Sequence, residues 1–232
     1  MLLAGVTANP STARGTNRDR SLVDEIDSIR QQVFEAAAHL TRAYATFDRL
    51  RRQYLAPEAQ ARVSVRNFVV RVRLGDSEVG WLARSPQFQE AAAEEYAGLA
   101  FFSSPAFQEG LGRIRSEDPS DAEWGLAVLE ADPWCFDSGY MKARISRALR
   151  NRALNPMQVE RVRAAILNNL HKGRRLEFNE TRRLARRVDS PEFRNAIERY
   201  LRHSDPDTRE RAAMLLESCR MNETRGDMRG AR

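Results

Sequence analysis

Residues 22–54, LVDEIDSIRQQVFEAAAHLTRAYATFDRLRRQY, carry the reading that decides the fold. Leu22, Ile26, Ile29, Val33, Ala36, Leu40, Ala43, Phe47, Leu50 and Tyr54 recur in steps of four and three, which places them on one stripe of a single helix. Such a helix is roughly 50 Å long at 1.5 Å per residue, and its stripe must lie against something. A two-stranded coiled coil wants charges of alternating sign beside its seam. Here one flank is Glu25, Gln32, His39, Thr46 and Gln53, and on the other Val23, Ala37 and Tyr44 widen the apolar face. Ala36 and Ala43 also suit close helix approach. Packing within the chain is the first expectation, and a homodimer through 22–54 is the alternative.

Outward from this helix, residues 1–20 mix Gly, Pro, Thr, Asn and Arg without period and read as a flexible lead. Ser21 offers an N-cap, with Asp24 and Glu25 at the positive helix end, and the helix stops before Pro57. Residues 57–83 admit two readings. Phe68, Val70, Val72 and Leu74 alternate with Val69, Arg71 and Arg73, as in a β-hairpin over 63–83. Pro57 at a first helical position, with Ala61, Val65, Phe68, Val69 and Val72 at helical spacing, favours a helix instead, because an isolated hairpin is marginal. Ser85-Pro86 and Ser104-Pro105 each open a helix with a polar cap and a first-turn proline.

Beyond Asp118-Pro119 the helical segments come in pairs, at about 120–131 and 139–152, 156–171 and 177–188, and 191–203 and 206–219. Short antiparallel helices, each amphipathic on one side, are the elements of a helical solenoid. The segment LRHSDPDTRERAAMLLES, residues 201–218, resembles the second half of a HEAT-type repeat: Asp205-Pro206 forms the acidic turn, Thr208 fills the apolar slot, Arg209 is the arginine, and Ala212, Ala213, Leu215 and Leu216 complete the helix. Residues 129–149 look like a degenerate version of the same join, with an insertion from Trp134 to Tyr140. The resemblance implies a curved scaffold that binds proteins or nucleic acids. It divides the chain into a lead (1–20), an N-terminal helical region (21–118), a helical-pair region (119–219) and a tail (220–232).

The chain has 232 residues, 42% of them hydrophobic and 30% charged, which excludes wholesale disorder. No run approaches the roughly 20 apolar residues of a membrane helix, and the opening residues do not read as a secretory signal; the expectation is no membrane partner and a cytoplasmic location. Cys135 and Cys219 are too few and too far apart for a thiolate metal site and read as reduced, small hydrophobes.

Net charge is +6, unevenly spread: residues 1–132 carry a net −4 and residues 133–232 a net +10. Between Lys142 and Arg187 stand 14 basic residues and three acids, Glu160, Glu177 and Glu180. That polarity is the footprint of a surface meeting a polyanion, although 36 of 38 basic residues are arginine, as a GC-rich genome favours. Arg182, Arg183, Arg186 and Arg187 fan across the side of one helix opposite Phe178, Leu184, Ala185 and Val188. Lys172, Arg174 and Arg175 in the preceding turn, and Arg144, Arg147 and Arg150 one pair earlier, extend the ridge if the pairs stack. A solvated face and an anion-binding face both fit it. Trp134, Phe136 and Tyr140, in a loop with Asp132 and Asp137, fit either a plug between the halves of the chain or a stacking platform beside the ridge.

Catalytic spacing is absent: the sequence holds no HExxH, P-loop, dinucleotide turn or GxSxG elbow. His39, His171 and His203 have no partner at metal-ligand spacing, Glu94-Glu95 and Asp24-Glu25 read as solvated, and Met141 and Met157 read as core. Trp134, Asp132 or Asp137, and Arg147 imitate the residue set of HEAT-like alkylpurine DNA glycosylases without a residue-by-residue match. The expectation is a mainly α, non-enzymatic protein with no cofactor or metal, whose basic C-terminal surface engages a nucleic-acid backbone or an acidic protein partner. A protein–protein adaptor using the 22–54 helix is the rival.

Overall fold

The four-three stripe is realised as one helix, covered by other helices of the same chain. In the computed structural model, which describes residues 13–116, 121–133, 138–172 and 177–220, with side chains from residue 24 onward, α1 runs Ala13–Tyr54. It is about 63 Å long at 1.5 Å per residue. Ile29, Val33, Ala36, Leu40, Ala43, Phe47 and Leu50 are buried, and so is Ala37 on the widened flank. Their cover comes from the same chain: α3 (Val65–Arg73), α4 (Pro86–Phe102) and α6 (Ala122–Ala131). The closest approach is at Gly98 of α4, where a Cβ would lie 2.7 Å from Leu40 Cγ and 2.8 Å from the Ala36 carbonyl oxygen.

The helix begins at Ala13, so Ser21 lies inside it instead of capping it. The segment ARGTNRDR contains one glycine and no proline; propagation through Gly15 costs about 1 kcal/mol and meets no break. The expected lead is shortened accordingly, and its first twelve residues, like the tail from 221, lie outside the described residues.

The β-hairpin reading of 63–83 is overturned. This stretch forms α2 (Pro57–Arg62), α3 and a 3₁₀ turn at Gly80–Arg84, and no strand occurs among the described residues. Ser64 separates the first two helices and caps α3, accepting a hydrogen bond from the Asn67 backbone N–H at 3.2 Å. The buried set is Phe68, Val69 and Val72, a helical arc, while Val70 and Leu74 stay exposed. Alternation had grouped Val70 and Leu74 with Phe68. Gly75 (φ 73°) then turns the chain, and Gly80 returns so close that a Cβ would lie 2.4 Å from the Gly75 carbonyl carbon.

After α5 (Pro105–Arg113) the helices α6, α7 (Ser138–Arg150), α8 (Pro156–Asn169), α9 (Phe178–Arg187), α10 (Pro191–Glu198) and α11 (Pro206–Arg220) alternate between two rows. Helices α6, α8 and α10 touch in succession, as do α7, α9 and α11, and each odd helix also packs on the even one before it. Polar caps set the starts: Ser85, Ser104 and Ser190 accept from the third residue of their helices, and Asn155 forms a reciprocal capping box with Gln158. The core does not stop at residue 119. Ile29, Val33, Ala36 and Leu40 belong to the same buried cluster as Leu126, Ile145, Val162, Leu184 and Leu215. The second half of α1 builds a smaller cluster with Phe68, Leu82 and Phe88. Met157, expected in the core, is exposed in the first turn of α8, whose inward face starts at Gln158. Among the described residues no helix is long and apolar enough to cross a membrane.

Candidate anion-binding surface and interior charge cluster

Helix α9 lies between α7 and α11 and buries Leu184 and Ala185, with Val188 just past its end. Glu180 sits on its margin toward α7, with 9% of its side chain exposed. One carboxylate oxygen accepts from Arg147 at 3.1 Å and from Arg183 at 2.7 Å, and the other accepts from Arg150 at 3.1 Å. Burial pushes this carboxyl up, but the Arg147 hydrogen bond and the charges of Arg183, Arg147 and Arg150 outweigh burial and hold it below the usual range. One negative charge therefore organises three guanidiniums drawn from two helices. Other arginines make different pairings: Arg71 bonds Asp76 and Glu78, Arg161 bonds Glu123 and Glu130, and Arg194 bonds Asp189, while Asp48 is shared by Arg51 and Arg52.

The side chains of Arg147 and Arg183 remain 59% and 56% exposed, so the group faces outward. Arg144 flanks it on α7 and Arg187 one turn beyond Arg183, both exposed. The rest of the expected ridge is split by helical geometry, since adjacent residues diverge by about 100°. Arg182 turns to α11, donating to Ser218 Oγ at 2.8 Å and lying 3.5 Å from Glu217; the half-buried Arg186 is one turn further along that side. Lys172 turns inward to Asp132. Arg174, Arg175, Trp134 and Phe136 lie outside the described residues, and Tyr140 is exposed.

A second group was not foreseen. Asp132, at the C-terminal end of α6, adopts a left-handed conformation (φ 45°, ψ 53°) that aspartate tolerates better than most side chains. Its carboxylate is buried and takes Lys142 at 2.6 Å and Lys172 at 3.1 Å on its two oxygens. Lys142 Nζ also lies 3.2 Å from Glu177, which stands at the N-terminal end of α9. The cluster opens on a cavity of about 50 Å³ between the two helix rows. The available signal was compositional: Lys142 and Lys172 are the chain's two lysines, and both end on the same aspartate.

The remaining candidates have structural settings. Glu95, read as solvated, is buried; it accepts from Tyr44 Oη at 3.0 Å and pairs with Arg73, tying α1, α3 and α4 together. Glu94 accepts from His39 and Arg42, and the Arg42 and His39 hydrogen bonds hold its carboxyl below the usual range. Cys219 is buried, and burial together with the Asp189 charge pushes its thiol up to about 12. Among the described residues no group of His, Cys, Asp and Glu has the arrangement of a metal site. Compared with family models, curated proteins and solved structures, the chain matches none.

Proposed function

We propose that this chain is a non-enzymatic, HEAT-like α-solenoid scaffold whose α7/α9 surface engages the phosphate backbone of a nucleic acid. An acidic protein surface is the competing partner class, and a cytoplasmic location belongs to the same proposal. The observation that carries the reading is the Glu180 group, in which one buried carboxylate anchors three arginines and leaves two of them more than half exposed. Guanidiniums fixed by a common anchor present paired N–H donors to a phosphate with less rotamer freedom left to lose. Stacking of α6, α8 and α10 on one side, and of α7, α9 and α11 on the other, supports the solenoid reading. No base-reading element is invoked, so recognition is of the backbone.

The adaptor reading loses ground because the stripe it would use, Ile29 to Leu50, is already covered by α3, α4 and α6. The glycosylase reading is weaker again. Asp132 is engaged by Lys142 and Lys172, and Arg147 by Glu180, in separate groups.

The test is an electrophoretic shift series at about 50 mM salt, where backbone binding is strong, with duplex DNA, single-stranded DNA, RNA and polyglutamate. The reading expects nucleic acid to shift the chain and Arg147→Glu/Arg183→Glu to abolish the shift, with Arg49→Glu/Arg62→Glu, at exposed positions on α1 and α2, as a charge-matched control. No shift with any nucleic acid, or equal binding by the double variant, overturns it. A shift with polyglutamate alone transfers the surface to an acidic protein partner.

A further inference from the structure

An uncharged side chain shares the outward face of the arginine group. Tyr140 stands one turn before Arg144 on α7 and is 64% exposed. At about 100° per residue, Tyr140, Arg144 and Arg147 fall within an arc of about 60°. The buried residues of the same helix, Lys142, Ile145, Ser146 and Leu149, lie on the opposite side. Ring and guanidiniums therefore point the same way, with Tyr140 about 6 Å along the axis from Arg144 and about 10 Å from Arg147 at 1.5 Å per residue. Arg183 joins them from α9 through Glu180, and Arg187 follows one turn on. A tyrosine that plugged the space between the halves of the chain would be covered, and this one is open to solvent.

Guanidiniums select phosphate, and an exposed ring selects another flat face. In a duplex each base is stacked on its neighbours, and only base edges are presented in the grooves. A base face is free in a single strand, a loop or a bulge. The hollow beside Arg144, between Leu111, Ile114 and Met141, measures about 10 Å³ and is too small for a base, so a base lies on the ring instead of entering a pocket. The axial distance from Tyr140 to Arg147 corresponds to about three nucleotides at 3.4 Å each along a stacked strand. We infer that the α7/α9 surface binds single-stranded nucleic acid in preference to duplex, with an unpaired base stacked on Tyr140 and neighbouring phosphates held by Arg144, Arg147 and Arg183. Stacking of this kind accepts any base, so it adds strand selectivity without sequence readout. The inference rests on the nucleic-acid reading of this surface and deepens it.

The experiment is fluorescence anisotropy on the full chain at about 50 mM salt, where backbone binding is strong. Three labelled probes of about twelve nucleotides are compared: a thymidine strand, a duplex, and an abasic strand that keeps the phosphates and lacks the bases. Charge alone favours the duplex, whose phosphates are twice as dense along the axis, so a single-strand preference does not come from the arginines. The thymidine strand is expected to bind about tenfold tighter than the abasic strand, and tighter than the duplex. Tyr140→Ala is expected to bring the thymidine strand to the abasic level, and Tyr140→Phe to retain its affinity; the side chain is exposed, so neither variant disturbs the core. Equal binding of thymidine and abasic strands, tighter binding of the duplex, or thymidine binding undiminished in Tyr140→Ala overturns the inference and leaves the α7/α9 reading standing. Absence of binding by all three probes overturns both.

Discussion

Replacing Gly98 by alanine sets two known effects against each other where α4 meets α1. In an open helix interior the change stabilises, because alanine is favoured over glycine by about 1 kcal/mol. At Gly98 the new methyl would lie 2.8 Å from the Ala36 carbonyl oxygen, a backbone atom that moves only if α1 and α4 separate. It would also lie 2.7 Å from Leu40 Cγ, on a side chain that is completely buried. Because the clash includes a backbone oxygen, overpacking takes the upper part of its usual range, about 2–3 kcal/mol, so after the propensity gain of about 1 kcal/mol the variant should be less stable by about 1–2 kcal/mol. For a chain of this size the thermal midpoint should fall by roughly 3–6 °C. Gly112 in α5 supplies the control, because a Cβ there meets nothing within 4 Å. Gly112→Ala should gain about 0.5–1 kcal/mol. Calorimetry and urea unfolding on both variants read the two signs directly. If Gly98→Ala is as stable as the parent or more so, α1 and α4 are not in close contact. The stripe must then be covered otherwise, for instance by a second copy, and the midpoint would rise with protein concentration.

Three other expectations follow from the charged groups. The Glu180 carboxylate is held below the ordinary value of 4.5, so its contribution is present above that pH and is lost as pH falls through the depressed value. Glu180→Gln should therefore cost about 1–2 kcal/mol at neutral pH and flatten the acid-induced loss of urea stability; an unchanged acid profile would contradict the assignment. Lys142→Met removes the cation that Asp132 and Glu177 share, while Lys172 still pairs Asp132, and should destabilise by about 1.5–3 kcal/mol, checked by the urea midpoint. Cys219, with its thiol near 12, should be thiolate in only roughly one molecule in ten thousand at pH 8. Peptide mapping after native alkylation should find it unmodified until urea unfolds the chain.

How far the sequence reaches is clear from particular elements. The apolar period of α1 and the Ser-Pro and Asn-Pro starts of α4, α5, α8 and α10 are local signals, and each emerges as a helix. At 57–83 the alternation was shorter than a strand pair needs, and the Ser64 cap decided for helices. The arginine ridge was legible as composition but not as geometry. A helix face read alone gives Arg182 and Arg183 equal standing, whereas α7 and α11 on opposite sides of α9 divide them. Glu180 was visible as a nearby acid, and its role as an anchor needed the α7 partner. The pairing of Lys142 with Asp132 and Glu177 spans three helices, so no period or spacing announces it.

The most direct test of the central claim is the salt dependence of duplex binding. If Arg144, Arg147, Arg183 and Arg187 meet about four phosphates, log K against log salt should fall with a slope near −3.6 on duplex DNA and about −2.8 on a single strand. The same slope should shrink by about 1.8 in Arg147→Glu/Arg183→Glu if residual binding can be followed. A chain that leaves duplex DNA, single strands and RNA unshifted at about 50 mM salt, or one whose binding ignores salt, would contradict the account.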